Sequence, residues 1–166
     1  TCGPLLAAAG LLLFARPTVG GSYWGTFFPG VLTLGAGMGL TVAPLTASVM
    51  GAVDPRHAGV ASGINNAVAR TAGLLAIAAL GVLLAWRFNQ ALDAALAPLS
   101  LDARLGRVVD AQRARMGGAD FSGIAAHLRA PVQAAFAAAY VAAFRTVMFA
   151  SAGLAAAAGA AGLAVV

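Results

Sequence analysis

Residues 57–71 read HAGVASGINNAVART and hold most of the reactive side chains found inside the apolar parts of this chain. An intramembrane serine protease needs a Ser in Gly-x-Ser-Gly on one helix and a His within hydrogen-bond reach on another. Here Ser62 stands in Val60-Ala61-Ser62-Gly63, without the first glycine, and His57 lies only five residues earlier on the same segment. His127 falls in a distant polar stretch, and no two Asp share an apolar run, so neither a serine nor an aspartyl mechanism follows. The chain is expected to have no catalytic residues and to be no enzyme. What remains is Asn65, Asn66 and Arg70. Asn66 and Arg70 are four apart and share one helix face, with Asn65 about 100° away. An ionisable side chain inside a membrane span is expensive and marks a functional position. Two readings stay open: these groups cap carbonyls of a neighbouring helix, or they line a water-filled path as substrate-path or gating residues.

A second stretch, GAGMGLTVAP at 35–44, poses a choice between nucleotide and membrane. A dinucleotide fingerprint needs glycine at positions one, three and six after a strand. Counting from Gly35, the sixth residue is Leu40; counting from Gly37, it is Val42. A phosphate loop needs Gly-Lys, and the chain has no Lys. In lipid, helices associate by close packing, which small residues permit. Gly35 and Gly39 form a GxxxG with Gly37 nearby, and Pro44 removes a backbone hydrogen bond and is expected to bend the helix. Both bare packing and a moving transporter helix fit this pattern.

The elements that carry these residues are set by where charge is absent. Only 9% of the 166 residues are charged and 61% are hydrophobic, too apolar for a soluble surface of ordinary composition. No charge occurs between Arg16 and Asp54, or from Thr146 to Val166. Such runs read as membrane spans, and the protein as an all-α integral membrane protein. The expected spans are about 2–15, 24–50, 58–86 and 145–166. Tyr23 and Trp24 open the second at the water interface. The first run is only 14 residues, about 21 Å as a helix, and reads as a span cut short, so the chain is expected to be the C-terminal piece of a longer protein.

Residues 87–131 hold four of the five Asp and read as a solvent-side or interfacial loop with short amphipathic helices, on the helical spacing of Leu92, Leu96, Leu99, Val108 and Val109. Residues 132–144 read as an interfacial lead-in helix, with Arg145 at the membrane boundary. The formal charge of +5 comes from ten Arg without aromatic interleaving, which act as topology determinants and not as a nucleic-acid surface. The single Cys2 and two scattered His exclude an internal disulfide and a zinc site, and no cofactor or metal is expected.

The stretch Leu34 to Leu84 resembles the third- and second-last helices of the 14-helix drug:proton antiporters (EmrB/QacA type) of the major facilitator superfamily. The resemblance is carried by the Gly-x-Gly-x-Gly at 35–39, by Ala43-Pro44-Leu45-Thr46, by Ala58-Gly59-x-Ala61-Ser62-Gly63, and by Asn66 followed by Arg70. A long loop before the final helix and Ala143-Phe144-Arg145 opening that helix are also similar. It implies the last four helices of a C-terminal six-helix bundle in the plasma (inner) membrane, multi-pass. Residues 51–57 would lie inside and the loop 87–131 outside. It implies export of small amphipathic, drug-like compounds against entering protons, with the lipid bilayer and the N-terminal part of the same transporter as partners. Where many relatives carry Arg-Gln, this chain has Arg70-Thr71. The family's antiporter motif and embedded acidic residues belong to the N-terminal half. An exporter of one metabolite and a non-transporting scaffold subunit are the alternatives.

Overall fold

Ala, Leu and Gly dominate every apolar run, and a backbone without water must bond to itself, which in a single segment means a helix. The computed structural model describes residues 2–18 and 22–165, and among them there is no strand. The helices are α1 (Cys2–Phe14), the single turn α2 (Tyr23–Thr26), α3 (Phe28–Gly51), α4 (Ala58–Leu96), α5 (Ala103–Gln112) and α6 (Ala126–Val165). Three stretches are long and apolar enough to cross a membrane: Phe28–Ser48, Pro55–Leu99 and Ala126–Leu163. The all-α membrane reading therefore holds in outline.

The helix ends have local causes. Asp54 caps the turn Pro55–His57 by accepting from the Arg56 amide at 2.9 Å, and that turn leads into α4. Pro98 disfavours helix for the residue before it, and α4 ends at Leu96. Asp102 caps α5 through the Leu105 amide at 2.7 Å. α3 continues through Pro44 to Gly51.

The described residues fall into two units, one drawn from residues 2–17, 22–81 and 148–165, the other from residues 18 and 82–147. In the first, α1 packs on α3 through glycine. A Cβ on Gly10 would lie 2.5 Å from the Leu34 amide nitrogen, and one on Gly37 would lie 2.9 Å from the Gly3 carbonyl oxygen. A Cβ on Gly3 would lie 2.9 Å from the Thr41 nitrogen, and one on Gly30 would lie 3.3 Å from the Phe14 ring. The contacts at Gly3, Gly10 and Gly37 are with backbone, which cannot yield. The seam is thus a seven-residue repeat, Gly3 and Gly10 against Gly30 and Gly37, and not the expected Gly35–Gly39 pair. A side chain at Gly35 or Gly39 would meet nothing within 4 Å. The physical reason is register: α1 crosses the face that carries Gly30, Leu34, Gly37 and Thr41, spaced four, three and four.

Three expected boundaries move. The helix expected at 58–86 runs on to Leu96, and the short helices expected within 87–131 are present, α5 among them, while α6 already begins at Ala126. The lead-in 132–144 and the span 145–166 are one helix of 40 residues, so Arg145 sits half-buried inside α6 rather than at an element's start. The cause is the absence of a breaker: Pro131 is only the sixth residue of α6, and nothing after it stops an Ala-rich helix. At 1.5 Å per residue α6 is about 60 Å long, twice a ~30 Å hydrocarbon core.

Replacing Gly37 by Leu is expected to destabilise the protein by at least about 1–3 kcal/mol, because the overpacking is against backbone. Gly35→Leu should stay within about 0.5 kcal/mol. Unfolding midpoints of the two variants in mixed micelles check this, and equal midpoints would refute the observed register.

Candidate functional site

The chemistry-bearing residues lie in two places. On α4, Asn66 and Arg70 are exposed and Asn65 and Ser62 are half-buried. Among the described residues, Asn66 and Arg70 have no hydrogen-bond or ion-pair partner. The only acid of the first unit, Asp54, stands 16 residues before Arg70 and is occupied in capping Arg56. The flanking apolar side chains are as open: Val68 is 63% exposed, Leu74 70% and Ile77 72%. The helix therefore brings Asn66 and Arg70 to one face, as their spacing implies, and supplies them no partner.

The second unit has a core and a polar network that the sequence reading missed. Phe88, Leu92 and Leu96 of α4 stack at i, i+4, i+8, and Val132, Ala135, Phe136, Ala139 and Ala143 form the matching stripe of α6. Val109 of α5 and Ile124 complete the core. The Phe136 ring meets Phe88 edge-on at 5.8 Å between centroids and Phe121 at 5.1 Å. Each fully buried side chain of this size contributes roughly 1.5–3 kcal/mol. Leu92, Leu96 and Val109 were legible as helical spacing; Phe88 was not, because it lay past the expected end of a span.

Arg113 holds the polar side. Its Nε donates to Asp110 at 2.7 Å and its Nη2 to Asp93 at 2.6 Å, while Nη1 reaches Asn89 at 3.4 Å. Partial burial by itself would lower the Arg113 pKa; the hydrogen bonds it donates to the Asp110 and Asp93 carboxylates, with their negative charge, outweigh it and raise the pKa above its ordinary value. Arg113 is therefore the clamp between α5 and α4. Beyond it, Asp120 accepts from the Ser122 amide at 2.9 Å and hydroxyl at 3.0 Å, and Arg129 donates to the Ser122 and Ile124 carbonyls, both at 3.3 Å. The bonds from Ser122 hold the Asp120 carboxyl below its usual range.

A cavity of about 420 Å³ opens between this segment and α6, lined by Met116, Phe121, Gln133, Phe136 and Tyr140 among others. Met116 at its edge has φ of 46° and ψ of −113°, a left-handed conformation that favours glycine. Among the described residues no three His, Cys, Asp or Glu side chains come together to hold a metal ion. No family model, curated protein or solved structure matches the chain.

Both Asp partners of Arg113 are more than half exposed, so solvent screens the clamp, and Arg113→Ala is expected to cost only about 1 kcal/mol. Faster amide hydrogen exchange across α5, with little change in α3, is the expected readout; unchanged exchange in α5 would refute the clamp. For Asp120, a lowered folded pKa means its contribution is present above the ordinary carboxylate value of about 3.9 and lost as pH falls through the lower folded value. A carboxyl titration followed by NMR should give a midpoint below 3.9, and one at or above it would contradict the Ser122 bonds.

Proposed function

We propose that this chain is the C-terminal part of a proton-driven multidrug exporter of the 14-helix major facilitator family, working by alternating access. The observation that carries this reading is the order of motifs from Gly35 to Arg70. It runs from a glycine-rich helix through Ala43-Pro44-Leu45-Thr46 and a short connection into Ala58-Gly59, and ends on the Asn66–Arg70 pair. Three helices able to cross a membrane support it. So does an Arg placed within one of them, since transporters keep such costly groups where a polar path needs them.

In this reading the rest of the transporter, with its embedded carboxylates, completes the cavity. Entering protons drive one bundle to rock against the other and expel amphipathic compounds, and Asn65, Asn66 and Arg70 border the path or gate it. The protein sits in the plasma (inner) membrane with residues 51–57 inside. Residues 87–131 then lie outside.

Two measurements test the proposal in the complete protein. Arg70→Ala should reduce dye efflux to background at normal membrane abundance, and Arg70→Lys should impair it, since an ammonium lacks the planar fork of the guanidinium. In a Cys2→Ser background, a cysteine at Gly118 should react with an impermeant maleimide on intact cells and one at Val53 should not. Full efflux by abundant Arg70→Ala would sink the site, and the reverse labelling would sink the topology.

A further inference from the structure

The cavity of about 420 Å³ beside α6 lies wholly within the second unit, and no step of the proposed export cycle uses it. Its volume is roughly three times the ~150 Å³ that holds one benzene, and it falls within the range of small-molecule pockets. Phe121, Phe136 and Tyr140 supply aromatic surface, and Met116 adds a polarisable thioether suited to ring contacts. Gln133 and Tyr140 contribute polar side-chain groups, and neither hydrogen-bonds to another described residue. No lining residue carries a charge.

The wall opposite α6 is held at both ends. Gln112 Oε1 accepts from the Asp120 amide at 3.1 Å, and Arg129 of α6 grips the Ser122 and Ile124 carbonyls. Within this wall Met116 takes a positive φ, while Gly117 and Gly118, for which that conformation would cost little, do not. Backbone strain persists only where the surrounding structure imposes it, and it gathers at ligand sites. Here it sets a thioether, and not a bare glycine, at the cavity edge.

We infer that this cavity binds a neutral, planar aromatic molecule of about two or three fused rings bearing an N–H or C=O group.

The lining selects this class. The Phe121 and Phe136 ring planes are 76° apart with centroids at 5.1 Å, so a flat molecule stacked on one ring meets the other edge-on. Both arrangements are favourable for aromatic pairs. An enclosed anion would find no cation in the wall. An ammonium cage needs several ring faces turned to one point, whereas Phe121 and Phe136 are packed on each other. The Gln133 amide, with a donor and an acceptor, matches either polar group of the ligand. The inference does not rest on the efflux reading.

The test uses the complete protein in micelles, with isotope-labelled methionine methyl groups followed by NMR and indole as the probe. Indole is neutral and planar and has one N–H donor. The Met116 methyl resonance, assigned by its loss in Met116→Leu, should shift saturably through the indole ring current, while those of Met38 and Met148 stay near their starting positions. Gln133→Leu, a change at an exposed position, should raise the midpoint about three- to tenfold, the worth of one hydrogen bond. Ala137→Phe, which fills the cavity, should abolish the shift; if that variant does not accumulate, Gln133→Leu decides alone. Indole-3-acetate, the same ring with a carboxylate, should need at least about tenfold more to reach its midpoint. Equal shifts at all three methyl groups would make indole a mere solute of the apolar phase and overturn the inference. A Met116 resonance that never moves, a midpoint unchanged by Gln133→Leu, or equal midpoints for the two probes would overturn it as well.

Discussion

Lipid is as apolar as leucine, so two helices gain nothing from the hydrophobic effect by leaving it for one another. They join only where backbones come close enough for dispersion and weak polar contacts to accumulate. In this chain that closeness exists where Gly10 faces Leu34 and Gly37 faces Gly3 and Ala7, at distances no side chain could share. Leu5, on the same helix, packs against Gly159 of α6, which a Cβ would crowd at 3.0 Å. The aromatic run Tyr23, Trp24, Phe27 and Phe28 gathers at the start of α3, with Phe14 of α1 beside Phe27 at 6.4 Å.

The second unit obeys the opposite rule. It holds four of the five Asp and seven of the ten Arg, and it is organised as water-soluble domains are. Large side chains, Phe88, Leu92 and Phe136, are shut away, while Asp93 and Asp110 stay exposed and pair with Arg113. There glycine is not needed for packing; a Cβ on Gly106, Gly117 or Gly118 would touch nothing. α4 and α6 contribute to both units, so each helix changes its packing chemistry along its length. Gly59, Gly63 and Gly73 mark one half of α4, while Phe88, Leu92 and Leu96 mark the other.

The division runs along α4. Its first half carries Asn66 and Arg70 on a face shared with three unfilled glycines; its second half is anchored by ring packing and by Asp93 gripping Arg113.

The helical class, the number of long apolar segments and the shared face of Asn66 and Arg70 were all legible in the sequence. They follow from local rules: charge is excluded from hydrocarbon, and residues four apart on a helix meet. The seam was not legible. Gly35, Gly37 and Gly39 are equivalent as letters, and only the crossing of α1 decided that Gly37 is filled while its neighbours stay open. Nor was the second unit, because Leu92 and Val109 look like amphipathic loop helices until Phe88 and Phe136 close over them. Arg113 could not be told from Arg104 or Arg107 by type, since a clamp exists only when Asp93, 20 residues away in sequence, arrives at 2.6 Å. Local composition determined which segments are helices and which are fit for lipid. Tertiary contact decided which glycines, rings and charges those helices use, because each such choice depends on an atom supplied by a distant part of the chain.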